Sequence, residues 1–320
     1  MRGGGRVAGW QSGRKNGSRL SAVDSSSPRL LDCSTPRLPA TPPPRHPATS
    51  GRIGGAVVMA LTAGLVVLWL FPIYWIILTS FKTPLLINEK EPVFWFTPTL
   101  ENYQHLFDQF SFARILQNSL IITASATAIV IVLALLAAYA LGRMDVRGGK
   151  HVALWMLSLR FMPPIAIVLP FFIAWQRLGL IDTHLGLILV YVAFNLPFAI
   201  WLLRGFLVEV PRDLDEAAML DGLGHLAILR RIILPVVAPG VAVTAIFTFV
   251  FAWNEYLMAL VLTSRNATTV PVTVSKFIQA YSILWGDVGA SATIEILPVL
   301  VVVFLLQRHI MRGITLGAVK

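Results

Sequence analysis

The chain has 320 residues, of which 56% are hydrophobic and 13% charged, and its mean hydropathy is +0.72. This composition excludes an ordinary soluble domain and indicates a polytopic membrane protein. The formal net charge is +10, but residues 1–52 hold nine Lys/Arg against two acids, whereas the rest of the chain holds 17 against 14. The rest has no basic face with interleaved aromatic residues, so we expect no nucleic-acid binding. Cys33 is the only cysteine, which excludes an intrachain disulfide.

Residues 1–52 are rich in Arg, Gly, Ser and Pro. Such a segment cannot bury enough apolar surface to offset its ordering entropy, so it predicts a disordered, basic cytoplasmic tail. The alternative is upstream sequence translated from a wrongly chosen start. Residues 53–320 form the predicted transmembrane domain.

Six hydrophobic segments follow, each near or above the roughly 20 residues that span a hydrocarbon core. They cover about 54–78, 115–141, 152–176, 185–207, 236–262 and 288–310. The predicted fold is therefore all-α, with six transmembrane helices and one polar helix between the fourth and fifth. Proline residues inside the segments predict kinks, which neighbouring helices can tolerate.

The Lys/Arg of the short loops predict the orientation. Loop 142–151, the region around the polar helix and the C-terminal end are rich in Lys/Arg, whereas segments 79–114, 177–184 and 263–287 are poorer. The first three regions fall on one side of a six-span arrangement. Both termini and the polar helix are therefore expected in the cytoplasm.

The polar helix begins after Pro211, with acids in its first turn that suit the positive end of the helix dipole. Asp213 and Glu216 have the spacing of a capping box. Gly222 predicts either a turn with positive φ or a close approach to a docked partner. Pro235 predicts the start of a new helix.

The sequence from Glu216 to Pro235 resembles the EAA loop of ABC importer permeases. The matching residues are Glu216, Ala217, Ala218, Gly222, Ile232, Leu234 and Pro235. In that family the loop forms a cytoplasmic coupling helix that docks into a cleft of the ATPase subunit. The resemblance implies that these residues, together with Asp221, couple the permease to the ATPase. Glu216 could alternatively only cap its own helix.

Further motifs extend the resemblance over about 53–320. They include Thr79-Ser80-Phe81-Lys82, Glu101-Asn102-Tyr103, Asn118-Ser119-Leu120, Leu178 to Thr183, Trp253-Asn254-Glu255-Tyr256 and Arg312 to Lys320. Together they resemble the smaller permease subunit of maltose-type carbohydrate importers. The resemblance implies a bacterial inner-membrane heterodimer with a second permease. It also implies two ABC ATPase subunits, which use the ATP, and an extracytoplasmic sugar-binding protein. The chain itself is expected to hold no cofactor and to contact membrane lipid.

Ionisable side chains inside a span are costly, and they mark functional or paired sites. Arg160, Asn254 and Glu255 are candidates for the translocation path. Arg160 and Glu295 lie at similar predicted depths, so a structural ion pair between them is an alternative, as is a contact of Glu295 with the partner subunit.

No ATP-binding G-x-x-x-x-G-K-[ST] motif, metal spacing or catalytic set occurs in the sequence. We therefore expect no catalytic residues, no metal site and no enzymatic activity. A self-sufficient secondary transporter is an alternative that would need inverted repeats and an ion relay. No clear repeat is found, and six spans with one long polar loop fit this alternative badly. Within the permease hypothesis, the alternative substrate is a polyol or a glycerol phosphate ester.

Overall fold

The computed structural model of the protein describes residues 51–317, apart from Asp145 and residues 278–282. Of the predicted disordered tail, residues 1–52, the first 50 lie outside the described residues, whereas Gly51 and Arg52 already belong to the first helix. The described part is helical and contains no β-strand. Its α-helices are α1 (Gly51–Ser80), α2 (Pro84–Ile87), α3 (Glu101–Phe110), α4 (Phe112–Arg143), α5 (Gly149–Ser158), α6 (Pro164–Leu178), α7 (His184–Glu209), α8 (Asp213–Leu220), α9 (His225–Ile228), α10 (Leu234–Trp253), α11 (Leu257–Leu262), α12 (Val270–Val274) and α13 (Trp285–Gly317).

Five helices in the described part are long and apolar enough to cross a membrane. They are Val57–Ser80, Phe112–Arg143, His184–Glu209, His225–Trp253 and Trp285–Gln307. A sixth span exists only if the bent pair His151–Phe161 and Pro164–Leu178 counts as one. The prediction of an all-α membrane protein is confirmed, and its six spans are matched when the bent pair counts as one span.

Two of the predicted continuous spans are broken. The segment 152–176 bends by 91° between Phe161 and Pro164. Met162 and Pro163 each precede a proline, which disfavours the helical conformation, and both have ψ near 125° (127° and 123°). The segment 236–262 is also not one helix, because α10 ends at Trp253 and α11 begins three residues after Asn254.

The expectation that Pro235 starts a new helix is wrong in part. The chain is already helical from His225, and a π-helical turn over Leu229–Ile233 joins α9 to α10. Pro235 lies in the first turn of α10, where the missing N–H costs little.

The core forms where α4 packs against α7 and α10. One face of α4 is fully buried at every fourth residue, and it consists of Ile122, Ala126, Val130, Ala134 and Ala138. Small residues at this spacing let helix backbones approach closely, which is how membrane helices pack without a hydrophobic driving force. The same close approach occurs at Gly240 of α10, where a Cβ atom would collide with the ring of Phe206 from α7.

The loops at one end of the helices are held together by polar side chains. Asn118 donates to the carbonyls of Asn266 and Thr268 at 2.8 and 3.1 Å, and its Oδ1 lies 2.8 Å from the ring nitrogen of His184. Asn102 similarly donates to the carbonyls of Ser80 and Lys82, at 2.8 and 2.7 Å. These contacts bring segments 79–114, 177–184 and 263–287 to the same end, as the charge pattern predicts.

Asp182 is the strongest of these ties. It adopts a left-handed conformation with φ 55°, and its carboxylate accepts the backbone N–H groups of four successive residues, Ser264 to Ala267, at 2.9–3.2 Å. Partial burial alone would raise the pKa of Asp182, but the four donors outweigh it and hold the pKa well below its usual range. The carboxylate is therefore ionised and fixes the turn between α6 and α7 onto the loop that follows α11.

Candidate functional site

The polar helix α8 lies at the opposite end of the molecule, beside the ends of α4 and α7. It spans Asp213–Leu220, with acids in its first turn. The predicted capping box is wrong, because Asp213 is already the first helical residue and no side chain caps the helix. The reason is local: Arg212 itself has helical φ and ψ (−70° and −25°), and its carbonyl accepts from the amides of Asp215 and Glu216.

The end of α8 is a Schellman motif, which explains Gly222. The N–H of Gly222 donates to the carbonyl of Met219, and the N–H of Leu223 donates to that of Ala218, both at 3.0 Å. Gly222 has φ +81°, as the sequence predicted. No atom of the chain lies within 4 Å of where its Cβ would be, so within this chain the glycine is needed for conformation rather than space.

The two faces of α8 differ sharply. Asp215 and Ala218 are buried, and Ala218 belongs to a hydrophobic cluster with Tyr139, Ile228 and Ile233. The residues Glu216, Ala217, Asp221 and Gly222 are exposed. Leu220 is 89% exposed and Leu226 is 70% exposed, so apolar side chains flank the acidic ones on the open face.

The predicted coupling residues therefore divide into two groups. Glu216, Ala217, Asp221, Gly222 and Pro235 are open to a partner. Ala218 packs inward, and Ile232 and Leu234 are half-buried along the continuing helix. The second group positions the helix against α4 and α7, while their contribution to coupling stays a prediction.

A buried ion pair fixes α8 to the end of α4. Arg143 Nε lies 3.3 Å from Asp215 Oδ2, and the two side chains are 4% and 10% exposed. The geometry is that of an ion pair rather than a well-aligned hydrogen bond, and Arg143 Nη2 and Asp215 Oδ1 have no hydrogen-bond partner among the described residues. The ring of His225 lies 6.4 Å from that of Tyr139, one turn before Arg143. The sequence interpretation missed this pair, because it treated Asp215 only as a first-turn acid and Arg143 only as a loop charge.

The three candidates for the translocation path lie around one cavity. The cavity has a volume of about 500 Å³, and Arg160, Asn254 and Glu255 all line it, with Asn195 and Phe251. Both broken spans contribute to the lining: Met162 and Pro164 come from the first break, and residues 254–256 from the second. Non-helical backbone at membrane depth is tolerated where it lines such a cavity.

Arg160 does not pair with Glu295 in the structure. It donates to the carbonyl of Phe194 at 3.3 Å, and its guanidinium carbon lies 5.0 Å from the centroid of the Phe251 ring. Neither of the two ion pairs among the described residues includes either side chain. The alternative of an Arg160–Glu295 pair is wrong, because the bend after Phe161 turns Arg160 toward α7 and α10.

Among the remaining polar groups of the cavity, one buried acceptor is open. The carboxylate of Glu255 accepts the N–H groups of Met258 and Ala259, at 2.9 and 3.1 Å, and so caps α11. Asn195 donates to the carbonyl of Tyr191 at 2.8 Å, but its buried Oδ1 has no partner among the described residues. Within the described chain no cluster of His, Cys, Asp and Glu could hold a metal ion.

A helical membrane domain with a two-faced polar helix at one end and a polar cavity between broken spans defines a transport subunit. Residues 130–316 match the sequence profile of the family described as "Binding-protein-dependent transport system inner membrane component". The chain belongs to this family, and it is a membrane-spanning permease of an ABC importer.

Similar proteins agree with this assignment. The chain is 35% identical to the trehalose/maltose transport system permease protein MalG of Thermococcus litoralis, over 83% of this chain and 95% of that protein. It is 37% identical to the trehalose transport system permease protein SugB of Mycobacterium tuberculosis, over 78% of this chain and 92% of that protein. The fold matches a chain from the crystal structure of a bacterial ABC transporter that imports alginate. The TM-score is 0.66 at 21% identity, with 84% of this chain and 99% of that chain covered.

The buried pair generates a prediction for α8. Arg143→Met or Asp215→Leu alone leaves one buried charge without its partner, which typically costs ~3–5 kcal/mol, whereas the double variant replaces the pair by apolar groups and costs far less. We expect hydrogen exchange at the amides of Ala217–Leu220 to accelerate strongly in each single variant and to return toward the wild-type rate in the double variant.

Arg147→Met, which removes an exposed arginine at the same end, serves as the control and should leave these rates unchanged. If the increase in exchange rate in the double variant equals the sum of the increases in the two single variants, the two side chains act independently and the pairing is contradicted.

Proposed function

We propose that α8 is the element through which ATP hydrolysis in a partner subunit moves this permease. The observation that carries the proposal is its two-sidedness: one face is anchored by Arg143–Asp215, and the other presents Glu216 between exposed apolar residues. An acid on an open helix face can meet a basic group in a partner cleft, while the flanking Leu220 and Leu226 bury apolar surface there.

The assembly that follows is a heterodimer of this chain with a second permease, two ATPase subunits that bind the ATP, and an extracytoplasmic binding protein. Both termini and α8 lie in the cytoplasm in this arrangement. The loops tied by Asp182, Asn118 and Asn102 then face the outside, where the binding protein delivers its ligand. The chain itself needs no cofactor.

The transported substrate is a sugar or an oligosaccharide, and it passes the cavity at Arg160. The cavity offers donors from Arg160 and Asn254, the open acceptor of Asn195 and the ring of Phe251, which together suit hydroxyl groups on an apolar ring. Arg160 and Glu255 supply one charge of each sign, so the cavity favours an uncharged polyhydroxyl compound over a glycerol phosphate ester. The trehalose and maltose named for two relatives belong to the favoured class.

The coupling role is tested with Glu216→Lys and Gly222→Pro. We expect both variants to insert and to pair with the second permease, but to retain the ATPase subunit poorly or to lose stimulation of ATP hydrolysis by loaded binding protein. The first variant reverses the charge of the exposed face, and the second cannot adopt φ +81°. The measurement is co-purification of the ATPase subunit, with its hydrolysis rate with and without loaded binding protein.

Two control variants separate the site from general damage. Glu209→Lys makes the same charge change at the exposed last residue of α7, and Gly224→Ala adds a Cβ into open space at a residue with negative φ. Both should behave as the wild type. Full retention and stimulation in the two test variants would remove the coupling role from α8.

The substrate path is tested with Arg160→Met, which keeps much of the apolar stem but removes the donors. We expect uptake of labelled disaccharide into proteoliposomes to fall by about tenfold or more, since a charge-assisted hydrogen bond is worth ~1.5–3 kcal/mol. ATPase co-purification should not change. The control is Arg177→Met, at an exposed site on α6. Unchanged disaccharide uptake in Arg160→Met would contradict the proposed path. Stronger competition by glycerol 3-phosphate than by unlabelled disaccharide would contradict the proposed substrate class.

A further inference from the structure

Lys82 is a buried cation that has no acidic partner among the described residues. It lies two residues beyond the end of α1 and is 3% exposed. Its Nζ lies 4.4 Å from the centroid of the Trp75 ring and 5.4 Å from that of Phe96. Desolvation lowers the pKa of Lys82 from its usual range. The ammonium therefore has ring faces on two sides and three N–H donors without an acceptor.

The same ammonium lines a cavity of about 430 Å³ between α1 and α13. Two other polar groups of this lining, the indole N–H groups of Trp75 and Trp285, are also donors. The indole N–H groups of Trp75 and Trp285 have no hydrogen-bond partner in the described part of the chain, and Thr79 donates its hydroxyl proton to the carbonyl of Trp75. The rest of the lining is apolar, and it includes Ile76 and Val288 but no Asp or Glu.

The cavity lies at the level of the membrane surface, which favours a lipid over a dissolved solute as its ligand. The apolar span of α1 ends at Ser80, so Lys82 and the two indoles lie where a membrane helix leaves the hydrocarbon core. Trp residues concentrate at this depth, and lysine side chains extend along apolar surface to reach the lipid headgroups. Trp95, in the same segment, is 94% exposed and extends this aromatic level.

We propose that the cavity between α1 and α13 binds the phosphodiester of an anionic phospholipid. The phosphate oxygens accept from Lys82 Nζ and from the indole N–H groups, while the glycerol and the first methylenes cover Ile76 and Val288. The Lys82 ammonium already lies against the Trp75 and Phe96 rings, and no carboxylate lines the cavity. The quaternary ammonium of a choline headgroup would meet this like charge, so an uncharged glycerol headgroup is preferred.

The test uses the full chain, co-purified with its transporter subunits and stripped of lipid. Native mass spectrometry measures binding during titration with phosphatidylglycerol, phosphatidylcholine or free glycerol 3-phosphate. We expect the wild type to bind phosphatidylglycerol in preference to the other two. Lys82→Met should weaken that binding by about tenfold, because it removes a charge-assisted contact. Lys82→Arg should retain it.

Two further variants distinguish a loss of lipid binding from a loss of folding. Trp285→Phe removes an indole donor at a half-exposed site and should weaken phosphatidylglycerol binding while the complex stays intact. Lys90→Met removes an exposed lysine of the same segment and should change nothing. Equal binding of phosphatidylglycerol by the wild type and Lys82→Met would overturn the proposal. So would equal occupancy by glycerol 3-phosphate, or a carbodiimide cross-link from Lys82 to a carboxylate of the second permease.

Discussion

The buried pair of Arg143 and Asp215 is the constraint on which the proposed coupling depends. Both charges are removed from water at the junction of α4 and α8, so neither can separate without leaving the other buried and unpaired. Because α4 supplies the fully buried stripe that packs against α7 and α10, a force applied to α8 reaches the core directly. The Schellman turn at Gly222 ends the helix without loosening it, since the same turn packs Leu223 against the core.

The cavity and α8 are connected through α7 and α10. In a bilayer every backbone polar group needs a partner, so a span can break only where protein or water replaces the lost hydrogen bonds. Both breaks here face one cavity, and α7 lies between them with Asn195 aimed into it. A shift of α4 and α7 as one body would therefore change the cavity at Arg160 while the α8 contact stays fixed. This is the coupling that an alternating-access transporter needs.

The sequence predicted the class of fold and the polar helix α8 with its glycine turn, and the reasons are local. The length of an apolar segment predicts a membrane span, and a glycine at position 222 predicts a turn with positive φ. The loop motifs that carry the resemblance turn out to be structural: Asn102, Asn118 and Asp182 hold backbone groups of distant loops. What failed depends on long-range geometry. The pairing of Arg160 with Glu295 was estimated from depth along straight helices, and the 91° bend removes that premise. The partner of Asp215 lies far along the chain, so no spacing could identify it.

The central claim, that α8 moves with α4 as one body, is tested most directly by a distance measurement between them. Spin labels at Arg212 and Met144, both exposed and at this junction, with Cys33 replaced by serine, report the separation by pulsed electron paramagnetic resonance. The account predicts one narrow distance that is the same in the nucleotide-free and the ATP-trapped transporter. A second distance, or a shift on ATP binding, would show that the coupling helix moves relative to α4 and would contradict the account.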